Sequence, residues 1–251
     1  MANGICYGLT IEVCKMKTTI LNHLKETCTS LLNIAYPSLC VPCGEVLMRG
    51  EQCLCMSCLY NIPKTNYHLQ SDNAVEERFW GKVPVFRATA FFYFEKGSDF
   101  QKLLHNLKYK NDKNLGYVLG KYAGADLLDC PDFLSVDTIV PVPLHPKKLK
   151  SRGYNQSEWI GKGLSEIMNK PQDNTNLVRV IENVSQTSKS VYERYENTEG
   201  IFDLKDDKLF EGQHILLVDD VLTTGSTLEA CVQALLKTKD VKVSIFTLAV
   251  A

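Results

Sequence analysis

Residues 214–231 read HILLVDDVLTTGSTLEAC, and this segment decides the architecture. Ile215 to Val218 form an unbroken apolar run without the alternation of a half-exposed strand. That predicts a strand buried on both faces, as in a parallel sheet covered by helices. The run stops at Asp219 and Asp220, so two carboxylates stand at the carboxyl edge, where open α/β sheets bind ligands. Thr223, Thr224, Gly225, Ser226 and Thr227 follow and open a helix whose Leu228, Cys231, Leu235 and Leu236 face inward. Gly225 lets the chain turn sharply, the free amides of the helix start point at an anion, and the hydroxyls add donors. The loop is a cradle for a monophosphate.

Other phosphate motifs are absent. The chain has no GxxxxGK[ST] and no GxGxxG between a strand and a helix, which excludes a Walker-type or dinucleotide-binding loop. Acids beside a phosphate cradle repel a bare phosphate. They suit sugar hydroxyls, or a Mg²⁺ ion held between them and the ligand. A 5-phosphorylated ribose satisfies both halves. The plain alternative is a strand–turn–helix with an exposed Asp pair and a Ser/Thr cap.

The remaining pattern alternates strands with helices. Val85 to Phe94 reads as a strand, Asp99 to Lys110 and Leu115 to Leu128 as helices, Asp137 to Val142 as a strand and Asn155 to Met168 as a helix. Ser226 to Lys237 is a helix and Val241 to Val250 a final strand. The expected fold is α/β, a mainly parallel sheet flanked by helices. In VPVPLHPKKLKSRGYNQSEW (140–159), Pro141, Pro143 and Pro146 stiffen the strand exit. Lys147, Lys148, Lys150 and Arg152 then put four cations within six residues. That basic loop can neutralise a diphosphate or, as a bare charge run, simply be solvated. His145 is a candidate acid or diphosphate contact, or a structural histidine. The polar stretch holding Gln186, Lys189 and Arg194 lies between two strands and is either a lid that excludes water or a surface loop.

Ten cysteines in a secreted chain would suggest disulfides, but four stand as Cys40-x-x-Cys43 and Cys55-x-x-Cys58 around an 11-residue loop. Two such hooks give Zn²⁺ a closed, structural tetrahedron, and Gly44 fits the tight turn. Cys53 is a rival to Cys55, at a poorer spacing. The expected layout is an extension and helix at 1–36, the helix face running from Thr18 to Tyr36, then a zinc ribbon at 37–62, a linker at 63–84 and the main domain at 85–251. Residues 1–15 carry no assignable period and read as an extension or an upstream start.

Net charge is −1, with 28 basic and 29 acidic residues, so bulk charge does not mark a nucleic-acid binder; only a local patch would serve. No run of about 18 apolar residues occurs. Lys15, Lys17, His23, Lys25 and Glu26 interrupt the first 30 residues, so no signal peptide is expected either. A cytoplasmic location follows by default.

The strand, acid pair and T-T-G-x-T loop resemble the phosphoribosyl-diphosphate (PRPP) signature of type I phosphoribosyltransferases. The resemblance implies that Asp219 and Asp220 hold the ribose hydroxyls and Thr223 to Thr227 the 5-phosphate. Together, CxxC…CxxC, FQKLLHNLKYK, VPVPLHPKKLKSRGYNQ, QTSKSVYERYENTEGIF and LLVDDVLTTGSTLEA are similar to the ComF family, zinc-ribbon phosphoribosyltransferase homologues linked to DNA uptake in competence. Thr198 and Ile201 depart from the family's usual residues in the lid. The implied activity is Mg²⁺-dependent transfer of a 5-phosphoribosyl group with release of diphosphate, Lys147, Lys148 or Arg152 stabilising the leaving group. The rival is a competence accessory factor that binds single-stranded DNA through the basic patch, with Tyr154 and Trp159 as candidate stacking surfaces, although Trp159 lies in a helix and reads rather as a core residue, and keeps the sugar-phosphate pocket without turnover. A glutamine-using amidotransferase is set aside, because such enzymes need a separate glutaminase domain and a processed N-terminal cysteine. The acceptor is not legible.

Overall fold

The computed structural model describes residues 37–180 and 200–251. The expected helix over Thr18 to Tyr36 and the lid residues Gln186, Lys189 and Arg194 lie outside the described residues. A short helix, α1 (Met56–Tyr60), belongs to the cysteine module. Then come β1 (Ala88–Tyr93), α2 (Gln101–Tyr109), α3 (Lys113–Leu127), α4 (Pro131–Leu134), β2 (Thr138–Pro141), α5 (Pro146–Arg152) and α6 (Gln156–Met168). The chain ends with β3 (Leu177–Arg179), β4 (Phe202–Leu204), β5 (His214–Leu222), α7 (Ser226–Leu235) and β6 (Lys242–Val250).

Four strands form a sheet in the order β1-β6-β5-β2, every pair parallel. β3 and β4 make a separate antiparallel ribbon. This is the mainly parallel, helix-flanked sheet that the apolar run predicts. Side chains alternate between two cores: Leu216 and Val218 point into one with Leu119, Ile160 and Phe246, while Ile215 and Leu217 point into the other with Phe210, Leu228 and Cys231. β5 is apolar at every position from 215 to 218 because both of its faces are covered. Among the described residues no helix is long and apolar enough to cross a membrane.

Three local expectations differ from the structure. β5 continues past Val218, because β6 keeps pairing with it through Asp219↔Thr247, Val221↔Ala249 and Leu222↔Val250; the acids therefore sit inside the strand's last turn of pairing and not beyond it. The basic segment read as a loop is the helix α5. His145 caps it by accepting from the Lys147 amide at 3.1 Å, Pro146 occupies its first turn, and Gly153 closes it at φ 75°. The stretch read as a linker, 63–84, is packed. Val75 and Phe79 are buried, and the Asn73 side chain donates to the carbonyls of Tyr67, Gln70 and Ala88 while accepting from the Val75 and Glu76 amides. One asparagine thus satisfies an irregular backbone that shows no periodicity in sequence.

The closest contact in the core is between α3 and α6. A Cβ on Gly120 would lie 2.2 Å from the Ile160 carbonyl oxygen, and one on Gly163 would lie 2.1 Å from the Tyr117 carbonyl oxygen. Backbone therefore meets backbone, and no rotamer change can make room. Gly163→Ala is expected to lower stability by about 2 kcal/mol or more, outweighing the ~1 kcal/mol that alanine gains in helix propensity. Gly116→Ala meets the tip of Leu107 at 3.2 Å and the Trp159 Cβ at 3.4 Å, with the nearest backbone atom at 3.7 Å, and is expected to change stability by less than about 1 kcal/mol. Urea unfolding of both variants checks the contrast; equal midpoints would refute it.

Candidate functional site

The carboxyl ends of β2 and β5 open into a polar cleft of about 210 Å³. Its lining includes Asp219, Asp220, Thr223, Thr227, Lys148, Arg152, Ser157, Lys108 and Arg179. Asp219 is half-buried. Its Oδ1 accepts from the Ser157 hydroxyl at 2.9 Å and from the Asp220 amide at 2.9 Å. Burial first, and the adjacent Asp220 charge second, push its carboxyl from the ordinary 3.8 up to about 7, against the pull of these bonds and of Lys108. Asp220 pairs through Oδ2 with Lys108 of α2 at 3.2 Å. One oxygen of each carboxylate stays outside these bonds, and the pair offers the hard oxygen donors that a Mg²⁺ ion takes.

Five residues after Asp220, the backbone turns at Gly225, whose φ of 87° is left-handed. A Cβ there would meet Glu229, Phe79 and Leu222 at the ordinary contact distances of 3.4–3.6 Å, so the backbone conformation and not crowding calls for glycine. No side chain caps the start of α7, which leaves its first amides directed at the loop, with the Thr224 and Ser226 hydroxyls 3.2 Å apart beside them. The turn is braced from behind. Arg78, in the packed stretch before β1, donates to the carbonyls of Thr223 at 3.2 Å and Ala251 at 3.3 Å. Glu229, buried in the first turn of α7, meets Lys82 at 2.7 Å.

The structure sorts the basic residues. Lys148 and Arg152 line the cleft, and Arg152 is oriented by Gln156 at 2.9 Å. Lys147 and Lys150 are exposed on α5 and do not line it, because a helix spreads successive residues around its axis. His145 is buried and its Nδ1 is committed to capping α5. Tyr154 is buried too, its hydroxyl donating to the Leu107 carbonyl. The Trp159 ring carries Lys162 at 4.4 Å and Lys113 at 5.7 Å. Tyr154 is therefore not an open stacking surface, which corrects that expectation, and Trp159 is half-buried under two lysines on α6.

Lys108 and Arg179 are cleft residues that the sequence reading does not single out. Lys108 belongs to a helix repeat that reads as ordinary amphipathic pattern. Arg179 ends β3 and lies over the Phe202 ring at 5.2 Å. Its Nε is buried without a partner among the described residues, and burial lowers its pKa.

At the other end, the Sγ atoms of Cys40, Cys43, Cys55 and Cys58 all lie within 4.8 Å of one another. The Cys43–Cys55 separation of 3.8 Å is the edge expected of a tetrahedron with Zn–S bonds of ~2.3 Å. Amides point at the sulfurs, from Cys55 to Cys40 at 3.2 Å and from Cys58 to Cys55 at 3.4 Å. The set can hold a metal such as zinc. Cys53 stands outside it and takes the Asn114 side-chain amide at 3.4 Å, so the choice between Cys53 and Cys55 falls to Cys55.

Comparison with known proteins gives the same outline. The phosphoribosyl transferase domain family matches residues 156–251, the stretch from the start of α6 through the acid pair, the loop and β6. Competence protein F of Haemophilus influenzae is 34% identical over 227 residues, 84% of this chain and 96% of its own length. DNA utilization protein YhgH of Escherichia coli (strain K12) is 25% identical over 224 residues, 88% of this chain and 94% of its own length. Competence protein ComFC of Bacillus subtilis is 39% identical over 111 residues, 44% of this chain and 43% of its own length. With a relative at that identity matched over nearly its full length, and a phosphoribosyltransferase-type parallel sheet next to four clustered thiols, the chain belongs to the ComF family.

Proposed function

We propose that the cleft binds PRPP with Mg²⁺ and that the protein is a phosphoribosyltransferase of DNA utilization and competence. The observation that carries this reading is the meeting, in one cleft, of a carboxylate pair with an uncapped helix start that has hydroxyls around it. Asp219 and Asp220 orient the ribose hydroxyls. The amides and hydroxyls of Thr223 to Thr227 take the 5-phosphate. Lys148 and Arg152 face the diphosphate across the cleft, and Lys147 and Lys150 add field from the exposed side of α5. A bound Mg²⁺ neutralises charge on the diphosphate and the acid pair. Most of the catalytic effect in such a site comes from positioning and fixed electrostatics.

The names of the relatives and the exposed cations of α5 support a second reading, in which the same protein holds single-stranded DNA. That affinity would be strongly salt-dependent. Replacing Lys147, Lys148, Lys150 and Arg152 by Gln is expected to abolish it, and no measurable binding by the unaltered protein at low salt would remove this reading.

Asp219→Asn with Asp220→Asn is expected to abolish PRPP binding in calorimetry while the metal content of the four-cysteine module stays unchanged; undiminished heat would defeat the assignment. The Asp219 carboxyl also makes a pH prediction. In the ligand-free protein its pKa is raised from 3.8 to about 7, so the folded chain holds the proton more tightly than the unfolded one. Its stabilising contribution is complete below 3.8 and is lost as pH rises toward about 7. The ligand needs the ionised form, so PRPP affinity falls below pH 7 by up to about tenfold per unit. Thermal unfolding of the ligand-free protein from pH 4 to 8 reads the first effect, and Asp219→Asn flattens it; a variant with the same slope as the parent would show that another group titrates.

A further inference from the structure

The four-cysteine module has one side packed and, among the described residues, one side open. Val41, Leu54 and Ile62 join the core cluster that holds Leu103 and Leu107 of α2 and Leu119 of α3. On the surface, Leu39, Val46, Met48, Met56 and Tyr60 are each more than half exposed, Tyr60 at 90%. These five side chains are neighbours. Leu39 and Val46 stand opposite each other in an antiparallel bridge, which puts their side chains on one face. Met48 follows Val46 at the two-residue step of an extended chain, with the less exposed Leu47 between them. The Glu51 carboxylate accepts from the Met48 and Met56 amides at 2.7 Å each, so it ties the two methionines together. Met56 and Tyr60 are one turn apart on α1. Five large apolar side chains in one strip are more than single exposures scattered over a surface.

We propose that this strip is the docking surface for residues 20–35 of the same chain, which lie on it through the apolar face that includes Ile20, Leu24, Leu31 and Ala35. That face recurs at three- and four-residue steps, and Asn22, Glu26, Ser30 and Asn33 fall opposite it. A helix with such a stripe needs another element to cover it. Over these residues it would be ~24 Å long, enough to follow a strip rather than fill a point. Residues 36–38 alone separate Ala35 from Leu39, a reach of at most about 14 Å. So short a tether holds the face beside the strip at an effective concentration on the order of mM, which favours it over a second copy from solution. The strip is suited to such a partner. Methionine side chains adapt to an aliphatic face, and Tyr60 can cover carbon while its hydroxyl stays wet at the rim. The module is then clasped, with this segment on one side and α2 and α3 on the other.

The test uses the full chain with its four-cysteine module metal-loaded. Hydrogen exchange read by mass spectrometry follows the amides of 20–35. A brief pulse of dilute peroxide, followed by peptide mapping, reads how fast Met48 and Met56 oxidise. The amides of 20–35 are expected to exchange at least tenfold more slowly than in a free peptide of the same sequence. Met48→Asp with Met56→Asp, both at exposed positions, should remove that protection. From the other side of the contact, Leu24→Asp with Leu31→Asp should speed oxidation of both methionines at least fivefold. Melting curves and metal content check the fold of each variant. Exchange of 20–35 at the free-peptide rate in the parent overturns the proposal. So does protection that persists in the folded Met48→Asp, Met56→Asp variant, or oxidation that stays at the parent's rate in the folded Leu24→Asp, Leu31→Asp variant. Protection that grows with protein concentration would give the strip to a second copy, and protection that needs anionic vesicles would give the segment to a lipid surface; either result also overturns it.

Discussion

The Asp219 carboxylate is held between the end of β5 and the first turn of α6, where the Ser157 hydroxyl and the Asp220 amide both reach its Oδ1. That contact exists only if α6 lies close over the sheet, and the position of α6 is set by its contact with α3. At Gly120 and Gly163 the two helices touch through main-chain atoms. A side chain at either point would push α6 outward and carry Ser157 with it. The glycines therefore do more than relieve crowding: they fix the distance at which the acid is desolvated, which raises its proton affinity, while it keeps the hydrogen bonds that oppose that rise.

A desolvated acid beside a second acid is unfavourable by itself, and the surroundings offset it with cations drawn from separate elements. Lys108 comes from α2, Lys148 and Arg152 from α5 and Arg179 from β3. Among the described residues only Lys108 is paired with the acids, so the cleft holds negative charge on β5 and positive charge facing it. A ligand with hydroxyls at one end and phosphates at the other matches that separation better than a simple anion or cation would. Arg179 strengthens the point. A guanidinium whose Nε is buried without a partner among the described residues favours an anion nearby, since an unsatisfied buried polar group costs about 1–3 kcal/mol or more.

The sheet, its helical cover and the acid–loop–helix unit are legible in sequence because each is encoded locally. An apolar run with no alternation means two covered faces, and a glycine between hydroxyl residues at a helix start means a turn open to an anion. The helical state of 146–152 was also encoded, in Pro146 and Gly153, but four adjacent cations and three prolines draw the eye to a loop. What was not legible depends on which elements fold together. Lys108, Arg179 and Arg78 look like any helix, strand or surface cation until the chain closes. The length of β5 was set by the reach of β6. Trp159 and Tyr154 look like stacking residues until lysines and a neighbouring helix cover them. The Cys53 ambiguity was of the same kind: spacing nearly settled it, and the Asn114 side chain, 61 positions away in sequence, completes the answer.

The four-cysteine module is connected to this site by more than the chain. With Cys40, Leu54 and Ile62 as its buried apolar residues, it is too small to hold its shape by burial, and closure of four thiolates on a metal is the kind of interaction that stabilises such a unit. Its place on the protein is set by α2 and α3. Lys102 of α2 donates to the Pro42 carbonyl at 2.6 Å, Asn114 of α3 reaches Cys53, and Lys64 just past the module pairs with Asp126 of α3 at 2.8 Å. α2 is also the helix that carries Lys108 into the cleft and His105 and Tyr109 beside a second hollow of about 250 Å³. The module thus contacts, on its far side, the one helix shared by both cavities.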